Sequence, residues 1–366
     1  MRRQLIALGM LCGLLPGFVV HTHAAEAPAV SAASAVLMDA EAGRVLYAHN
    51  EQEPRAIAST TKLMTALVAA EYLGGDLSET VEIKREWTGI EGTSLYLKPG
   101  ETITLKTLLY GLLLHSGNDA AVALAGICGG EVETFVGWMN QRAQDLGMTN
   151  THFSDPNGLG DENHYASALD MAKLGVACLQ NPTVAEILST RTITLEGRQL
   201  TNHNKLLWLL PGAEGIKTGF TKAAGRILVS SAQRQGRRLV AATMDAPDDW
   251  RDHQALLEAG FADFRIVPII SAGEQLGLRT ILGGAGKVRL VAGEDFAFAL
   301  AQGEQPQIVI GGQNFAYAPV AQGAEAGTAY VLLSGKIVGR VPLVYGETVE
   351  QLPPEKKSPW QRLFGK

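Results

Sequence analysis

Cysteine is scarce in this chain, with three among 366 residues. Cys12 falls in a leader-like segment, and Cys128 and Cys178 each sit inside an apolar helical pattern. They read as two buried thiols, so neither a disulfide framework nor redox chemistry is expected. Metal-ligating spacing is missing as well. No His-Glu-x-x-His and no paired Cys-x-x-Cys occurs, and His21 and His23 leave with the leader. No metal and no cofactor are implied. Basic charge is also short: 31 Lys and Arg face 37 Asp and Glu, and removal of Arg2 and Arg3 with the leader leaves 29 against 37, a net charge of −8. That balance provides no general electrostatic footprint for nucleic acid. The N-terminal apolar run, Leu5 to Val20, is short for a membrane span. With Arg2 and Arg3 before it and Ala24-Ala25 after it, the run reads as a secretory signal over 1–25, removed near Ala25. Cys12 lacks the small residues before it that a lipoprotein signal would show. The rest of the chain is therefore expected outside the cytoplasmic membrane.

What the chain does contain is three short stretches in a fixed order: Ser59-Thr60-Thr61-Lys62, Ser116-Gly117-Asn118 and Lys217-Thr218-Gly219. The first stands where a helix should begin. Ser59, Thr60 and Thr61 are residue types that cap helices, and Leu63, Leu67 and Ala70 follow at helical spacing until Gly74-Gly75. Three residues are roughly one turn, so Lys62 returns to the face that carries Ser59. A serine hydroxyl is a weak nucleophile without a neighbouring base, and a lysine serves as that base only if burial or a second cation lowers its pKa. Lys217 is the candidate second cation. A serine at a helix start also lies beside free backbone N–H groups, which suit a developing oxyanion.

The second stretch follows the apolar run Leu108 to Leu114 and precedes a helical run from Asp119 to Cys128, so it reads as a tight connection between two helices. From there Ser116 can pass a proton to a leaving amine, and Asn118 can hydrogen-bond a substrate amide. His115 adjoins Ser116, but adjacent residues on a helix end point apart, so packing or surface is its expected role. The third stretch lies ahead of two alternating segments, Arg226 to Ala232 and Arg238 to Met244, which suggest neighbouring antiparallel strands. A free strand edge there can pair with an extended peptide, while Lys217 and Thr218 bind its carboxylate and Gly219 allows close approach. Phe220 contributes only its backbone N–H to an oxyanion hole.

Each motif alone is ordinary: a capped helix, a turn, a strand end. The ordered set resembles the low-molecular-mass penicillin-binding proteins of the serine-type D-alanyl-D-alanine carboxypeptidase family, in the β-lactamase/transpeptidase-like superfamily, whose members carry Ser-x-x-Lys, a Ser-x-Asn-like motif and Lys-Thr-Gly. Pro54 to Thr65, Ser116 to Ala120, His152 to Leu159, Ser167 to Leu174, Asn204 to Leu207 and Lys217 to Val229 share that resemblance. It implies Ser59 as acylated nucleophile, Lys62 as general base and Ser116 as proton relay. It further implies Asn118, Lys217, Thr218 and Gly219 as substrate-binding residues, with the backbone N–H groups of Ser59 and Phe220 as the oxyanion hole. The implied substrate is a peptidoglycan stem peptide ending in D-Ala-D-Ala, and the implied inhibitors are β-lactams. Phe220 stands where some members of the family have histidine.

Two alternatives differ in activity. A class A β-lactamase would carry Glu-x-x-Leu-Asn between the second and third stretches. None occurs there, and Glu162 directly precedes Asn163, which is the wrong spacing. A non-catalytic penicillin-binding scaffold would keep the fold and lose turnover. A stable penicillin adduct, rapid hydrolysis or no adduct separates the three readings.

Length and an apolar content of 46% point to more than one core. The expected class is α+β. A hairpin at Ala35–Asp39 and Arg44–Ala48 joins the strands after Lys217 in one antiparallel sheet, helices from Ser59 to about Leu179 pack on it, and a closing helix spans Asp249 to Phe264. Beyond Arg265, strand-like runs at Val288–Val291, Phe296–Leu300, Gln307–Ile310, Thr328–Leu333 and Lys336–Leu343 suggest a small all-β domain without a catalytic constellation. The division is thus a leader at 1–25, an acyl-transfer domain at 26–265, a β-rich domain at 266–350 and a tail at 351–366. Trp360, Leu363 and Phe364 in the tail fall at i, i+3 and i+4 among Lys356, Lys357, Arg362 and Lys366. That pattern fits either a short amphipathic membrane foot or a frayed polar end.

Overall fold

The computed structural model describes residues 28–74 and 76–353. The leader and the apolar triplet of the tail lie outside these residues. The first core is built on a five-stranded antiparallel sheet of β1 (Ser34–Asp39), β2 (Val45–His49), β3 (Ala213–Thr221), β4 (Gly225–Arg234) and β5 (Arg237–Met244). Their spatial order is β2-β1-β5-β4-β3. The expected hairpin therefore does join the strands after Lys217, and the Lys217 strand ends up at the edge of the sheet.

Side chains alternate between two covered faces, as the two-residue period of a strand requires. Val36, Met38, Ile227, Val229, Val240 and Ala242 point into a large helical core. Their neighbours Leu37, Leu228, Leu239 and Ala241 point the other way, against Leu256 and Leu257 of the closing helix. Burial of both faces makes β4 and β5 nearly continuous buried runs where the sequence suggested alternating ones.

The helices of that core are α1 (Lys62–Leu73), α2 (Leu105–Tyr110), α3 (Asn118–Gly129), α4 (Val132–Asp145) and α5 (Ala168–Gln180), of which α5 lies directly on the first face. The helix α6 (Asp249–Asp263) covers the second. In α1 every residue from Lys62 to Ala70 is buried, the pattern of a helix packed on all sides. It stops at Gly74, whose φ of 67° is the left-handed turn that glycine adopts without cost. The helix α5 starts where Ser167 accepts a hydrogen bond from the Asp170 N–H, a side-chain cap the sequence pattern allows.

After α6 the chain passes directly into strands with a core of their own, formed by Ile270, Ile281, Val288, Leu290, Ala329, Val331, Val341 and Leu343 among others. A six-stranded sheet contains Gln275–Leu282, Lys287–Ala292, Gln307–Gly311, Phe315–Tyr317, Glu325–Leu333 and Lys336–Tyr345, while Phe264–Ile270 pairs with Phe296–Ala301. The all-β expectation is met. The strands Phe264–Ile270, Gln275–Leu282 and Phe315–Tyr317 are additional to those read from the sequence. Bulges interrupt two of them, between Pro268 and Ile270 and between Gln275 and Gly277, which breaks the alternation a sequence reading relies on. Arg44, in the β1–β2 turn, reaches the second region: its guanidinium bonds the Ala299 carbonyl and both oxygens of Glu304 and lies over the Phe264 and Phe298 rings.

Candidate active site

Ser59 sits in a tight 3-10 turn, Ala58–Thr61, that leads straight into α1. The preceding Ala58 has a φ of 44°, a left-handed value that is strained for a residue with a Cβ. The capping expected of Ser59, Thr60 and Thr61 is not what holds this turn. Thr60 Oγ1 donates back to the Ile57 carbonyl at 2.5 Å and Thr61 Oγ1 to the Ala58 carbonyl at 2.7 Å, and Thr61 at the α1 N-cap makes no side-chain cap. Each hydroxyl reaches the carbonyl three residues back, the local bond that threonine makes within a helical turn, and the Thr60 N–H shares the Ile57 carbonyl at 3.1 Å.

The expected return of Lys62 to the face of Ser59 holds. Lys62 Nζ lies 2.9 Å from Ser59 Oγ and donates to the Asn157 carbonyl at 2.6 Å. The Lys62 side chain is fully buried, and burial together with the charge of Lys217 pushes its amine well below the ordinary lysine value, against the pull of Asp155 and Asp119. Lys217 is itself buried and is lowered to about 7 by desolvation. Two lysines in one dry crevice cannot both hold a proton cheaply, so one stands ready to be a neutral base.

Two glycines make room for the turn. A Cβ at Gly158, where φ is 88°, would lie 1.9 Å from the Ala58 carbonyl oxygen and 3.0 Å from the Ser59 nitrogen. A Cβ at Gly219 would meet the Ile57 carbonyl oxygen at 3.2 Å and the Thr60 nitrogen at 3.3 Å. The expected close approach at Gly219 is therefore present. It brings β3, with Lys217 and Thr218, against the turn that carries Ser59. Lys217 Nζ donates to the Thr218 carbonyl at 3.0 Å. Phe220 pairs in register with Arg226 of β4, and its ring is 65% exposed, leaving its main chain as the part that the strand fixes.

Ser116 lies in the connection between two helices, as expected, while Asn118 is the first residue of the second helix. The helix α2 widens into one π turn at Gly111–His115, and Ser116 closes it with a left-handed φ of 65° before Gly117 and α3. Such turns recur at functional sites because they re-aim the next residue. Asn118 is anchored by its backbone N–H to the Thr93 carbonyl at 2.7 Å and by Nδ2 to the Glu91 carbonyl at 2.5 Å. His115 is half-buried and its ring stands 5.8 Å from that of His203, in keeping with a packing role. Desolvation and the nearby Lys217 and His115 push the His203 imidazole down to about 4.

Four residues that shape this crevice carry no role in the sequence reading. Asp119 accepts bonds from Ser94 Oγ and the Leu95 and Leu97 N–H groups, which fastens the 94–97 loop to α3. Asn157 offers the carbonyl that holds Lys62, and Asp155 Oδ1 accepts from the Asn157 and Gly158 N–H groups. His164 contacts Thr61 through Nε2 at 2.6 Å. The only signal available for three of them was their position in or near the His152–Leu159 stretch. Cys128 and Cys178 are free, buried thiols, each raised by desolvation, Cys128 to about 12.

Comparison with known proteins identifies the family of the chain. A family model described as D-alanyl-D-alanine carboxypeptidase matches residues 21–248, and one described as the C-terminal domain of penicillin-binding protein 5 matches residues 264–351. The D-alanyl-D-alanine carboxypeptidase DacC of Escherichia coli is 34% identical over 352 residues, covering 89% of this chain and 86% of that protein. DacF of Bacillus subtilis is 32% identical over 336 residues, covering 87% of this chain and 86% of its own. The crystal structure of penicillin-binding protein 5 from Haemophilus influenzae superposes with a TM-score of 0.77 at 31% identity, covering 89% of this chain and 99% of that one. The chain therefore belongs to the D-alanyl-D-alanine carboxypeptidase family of low-molecular-mass penicillin-binding proteins.

Proposed function

We propose that the protein is a serine-type D-Ala-D-Ala carboxypeptidase that removes the terminal D-alanine from peptidoglycan stem pentapeptides. The observation that carries this reading is the buried Lys62 amine 2.9 Å from Ser59 Oγ, with its proton affinity depressed by burial and by Lys217. Ser59 attacks the carbonyl between the two D-alanines as neutral Lys62 takes its proton. The developing oxyanion is met by the backbone N–H groups of Ser59 and Phe220. Lys217 and Thr218 hold the substrate carboxylate, Gly219 lets the peptide approach β3, and Asn118 positions the amide. Ser116 relays the proton to the leaving amine of D-alanine, whose departure leaves an acyl-enzyme that water hydrolyses. A terminal carboxylate is what separates this substrate from an internal peptide bond. β-Lactams present the same carboxylate beside a strained amide, so they acylate Ser59 and remain.

The site belongs to a domain at 26–265, followed by a β-rich domain at 266–350 that serves as a spacer or a partner surface, and the work is done in the cell envelope after export on the 1–25 leader. The test uses a muramyl pentapeptide and penicillin. Loss of one alanine from the peptide, together with a stable penicillin adduct that disappears in Ser59→Ala, is the expected result. An intact pentapeptide, or an adduct that persists in Ser59→Ala, would overturn it.

A further inference from the structure

His164 is 4% exposed and lies under the nucleophile turn, outside every role assigned above. Its hydrogen bonds fix its tautomer. Thr61 Oγ1 spends its proton on the Ala58 carbonyl, so at 2.6 Å it accepts from His164 Nε2, which must carry the hydrogen. The other ring nitrogen, Nδ1, accepts from the Ser154 N–H at 3.0 Å. A neutral imidazole thus joins two segments, the turn that presents Ser59 and the 154–158 loop. That loop in turn grips the first turns of α1: the Pro156 carbonyl accepts from Thr65 Oγ1 at 2.6 Å and the Asn157 carbonyl accepts from Lys62 Nζ at 2.6 Å.

A second arrangement is built into the same residues. Asp155 Oδ2 is buried, has no hydrogen-bond partner among the described residues, and stands 3.5 Å from His164 Nδ1. A buried carboxylate oxygen without a partner is costly unless something can reach it. A protonated Nδ1 can reach it, but the Ser154 N–H would then lose its acceptor. Asp155 would also be drawn from the Asn157 and Gly158 N–H groups that its other oxygen holds at 2.7 and 2.5 Å.

We propose that His164 is a positioning residue for the Ser59–Lys62 pair. Neutral and protonated on Nε2, it locks the loop that holds the Lys62 amine; a second proton, taken at Nδ1, transfers the ring to Asp155 Oδ2 and releases that hold. The inference rests on the acyl-transfer reading of Ser59 and Lys62. The charged and titratable groups that face the ring are Asp155 and Asp161, which favour the second proton, and His152 and Lys62, which oppose it. Burial opposes it more strongly, so the ring titrates below the ordinary imidazole value. The locked form is therefore the one present at neutral pH, and release belongs to acid conditions.

The test combines nitrogen-15 NMR of histidine-labelled full-length protein with acylation rates by a fluorescent penicillin from about pH 4.5 to 7.5. The expected spectrum at pH 7.5 shows the Nε2–H tautomer at His164, and Asp155→Asn moves its titration to still lower pH. Acylation by His164→Ala is expected to fall about tenfold or more at pH 7.5, since small misplacements of a reacting pair are expensive. His164→Gln, which can still donate to Thr61 but has no proton to gain, should recover most of that rate and should lose less of it on acidification than the wild type. An Nδ1–H tautomer, wild-type acylation by His164→Ala or a wild-type acid limb in His164→Gln would overturn the proposal alone. A wild-type protein that is never acylated would overturn the underlying functional reading, and with it this inference. The tautomer measurement needs no variant, so it stands even if His164→Ala fails to fold.

Discussion

At the scale of single residues, the site depends on side chains that are absent as much as on those present. Gly158 has no Cβ, and an added one would enter the Ala58 carbonyl at 1.9 Å from a backbone angle that alanine resists. The loop that holds Lys62 would have to retreat. Gly158→Ala is accordingly expected to slow acylation of Ser59 by about a hundredfold or more while leaving the circular-dichroism spectrum unchanged, as for other displaced reacting groups. A wild-type acylation rate in that variant would show that the close contact has no bearing on the chemistry. The contact of Ser59 with Lys62 was legible in the sequence because the two are three residues apart on one local turn. The Asn157 carbonyl was not, because it meets Lys62 across 95 residues, and a main-chain acceptor leaves no mark on residue identity. Ser59, Thr60 and Thr61 misled in a smaller way, since residue types that cap helices also bond back to carbonyls three residues earlier.

At the scale of elements, the sheet is pinned to its outer helix by a polar clamp. His253 of α6 is completely buried and bridges Ser230 of β4 and Thr243 of β5 through its two ring nitrogens. Burial pushes its imidazole down to about 3. The unfolded chain binds a proton at this residue once the pH drops through about 6.5, whereas the folded chain refuses it until about pH 3. The stabilisation is therefore complete above pH 6.5 and is lost progressively below it, by a few kcal/mol at the acid end. Urea midpoints at pH 7.5 and 4.5 should show a steep fall for the wild type and a shallower one for His253→Gln; equal slopes would remove His253 as the cause. Strands flanking this clamp were readable because each is a short, largely apolar segment of strand length. Phe264–Ile270 and Gln275–Leu282 were not, because bulges, Pro268 and the wide exposure of Ile266, Val267 and Leu278 erase the alternation.

At the scale of the whole molecule, an acyl-transfer fold and an all-β unit each have a core, and Arg44 ties one to the other at Glu304 with two hydrogen bonds of 2.8 and 2.7 Å. The main chain last described runs past Leu352, whose N–H bonds the Gly283 carbonyl at the end of the second unit. Trp360, Leu363 and Phe364 follow close to Lys356, Lys357, Arg362 and Lys366, a composition suited to an anionic bilayer surface. Vesicles containing anionic lipid separate the two readings of the tail: a membrane foot makes full-length protein sediment while a chain ending at Pro354 stays in the supernatant, and equal partition discards the anchor. The order β2-β1-β5-β4-β3 leaves Lys217 on the outermost strand. A ligand can consequently settle alongside the protein from the flank, without being threaded.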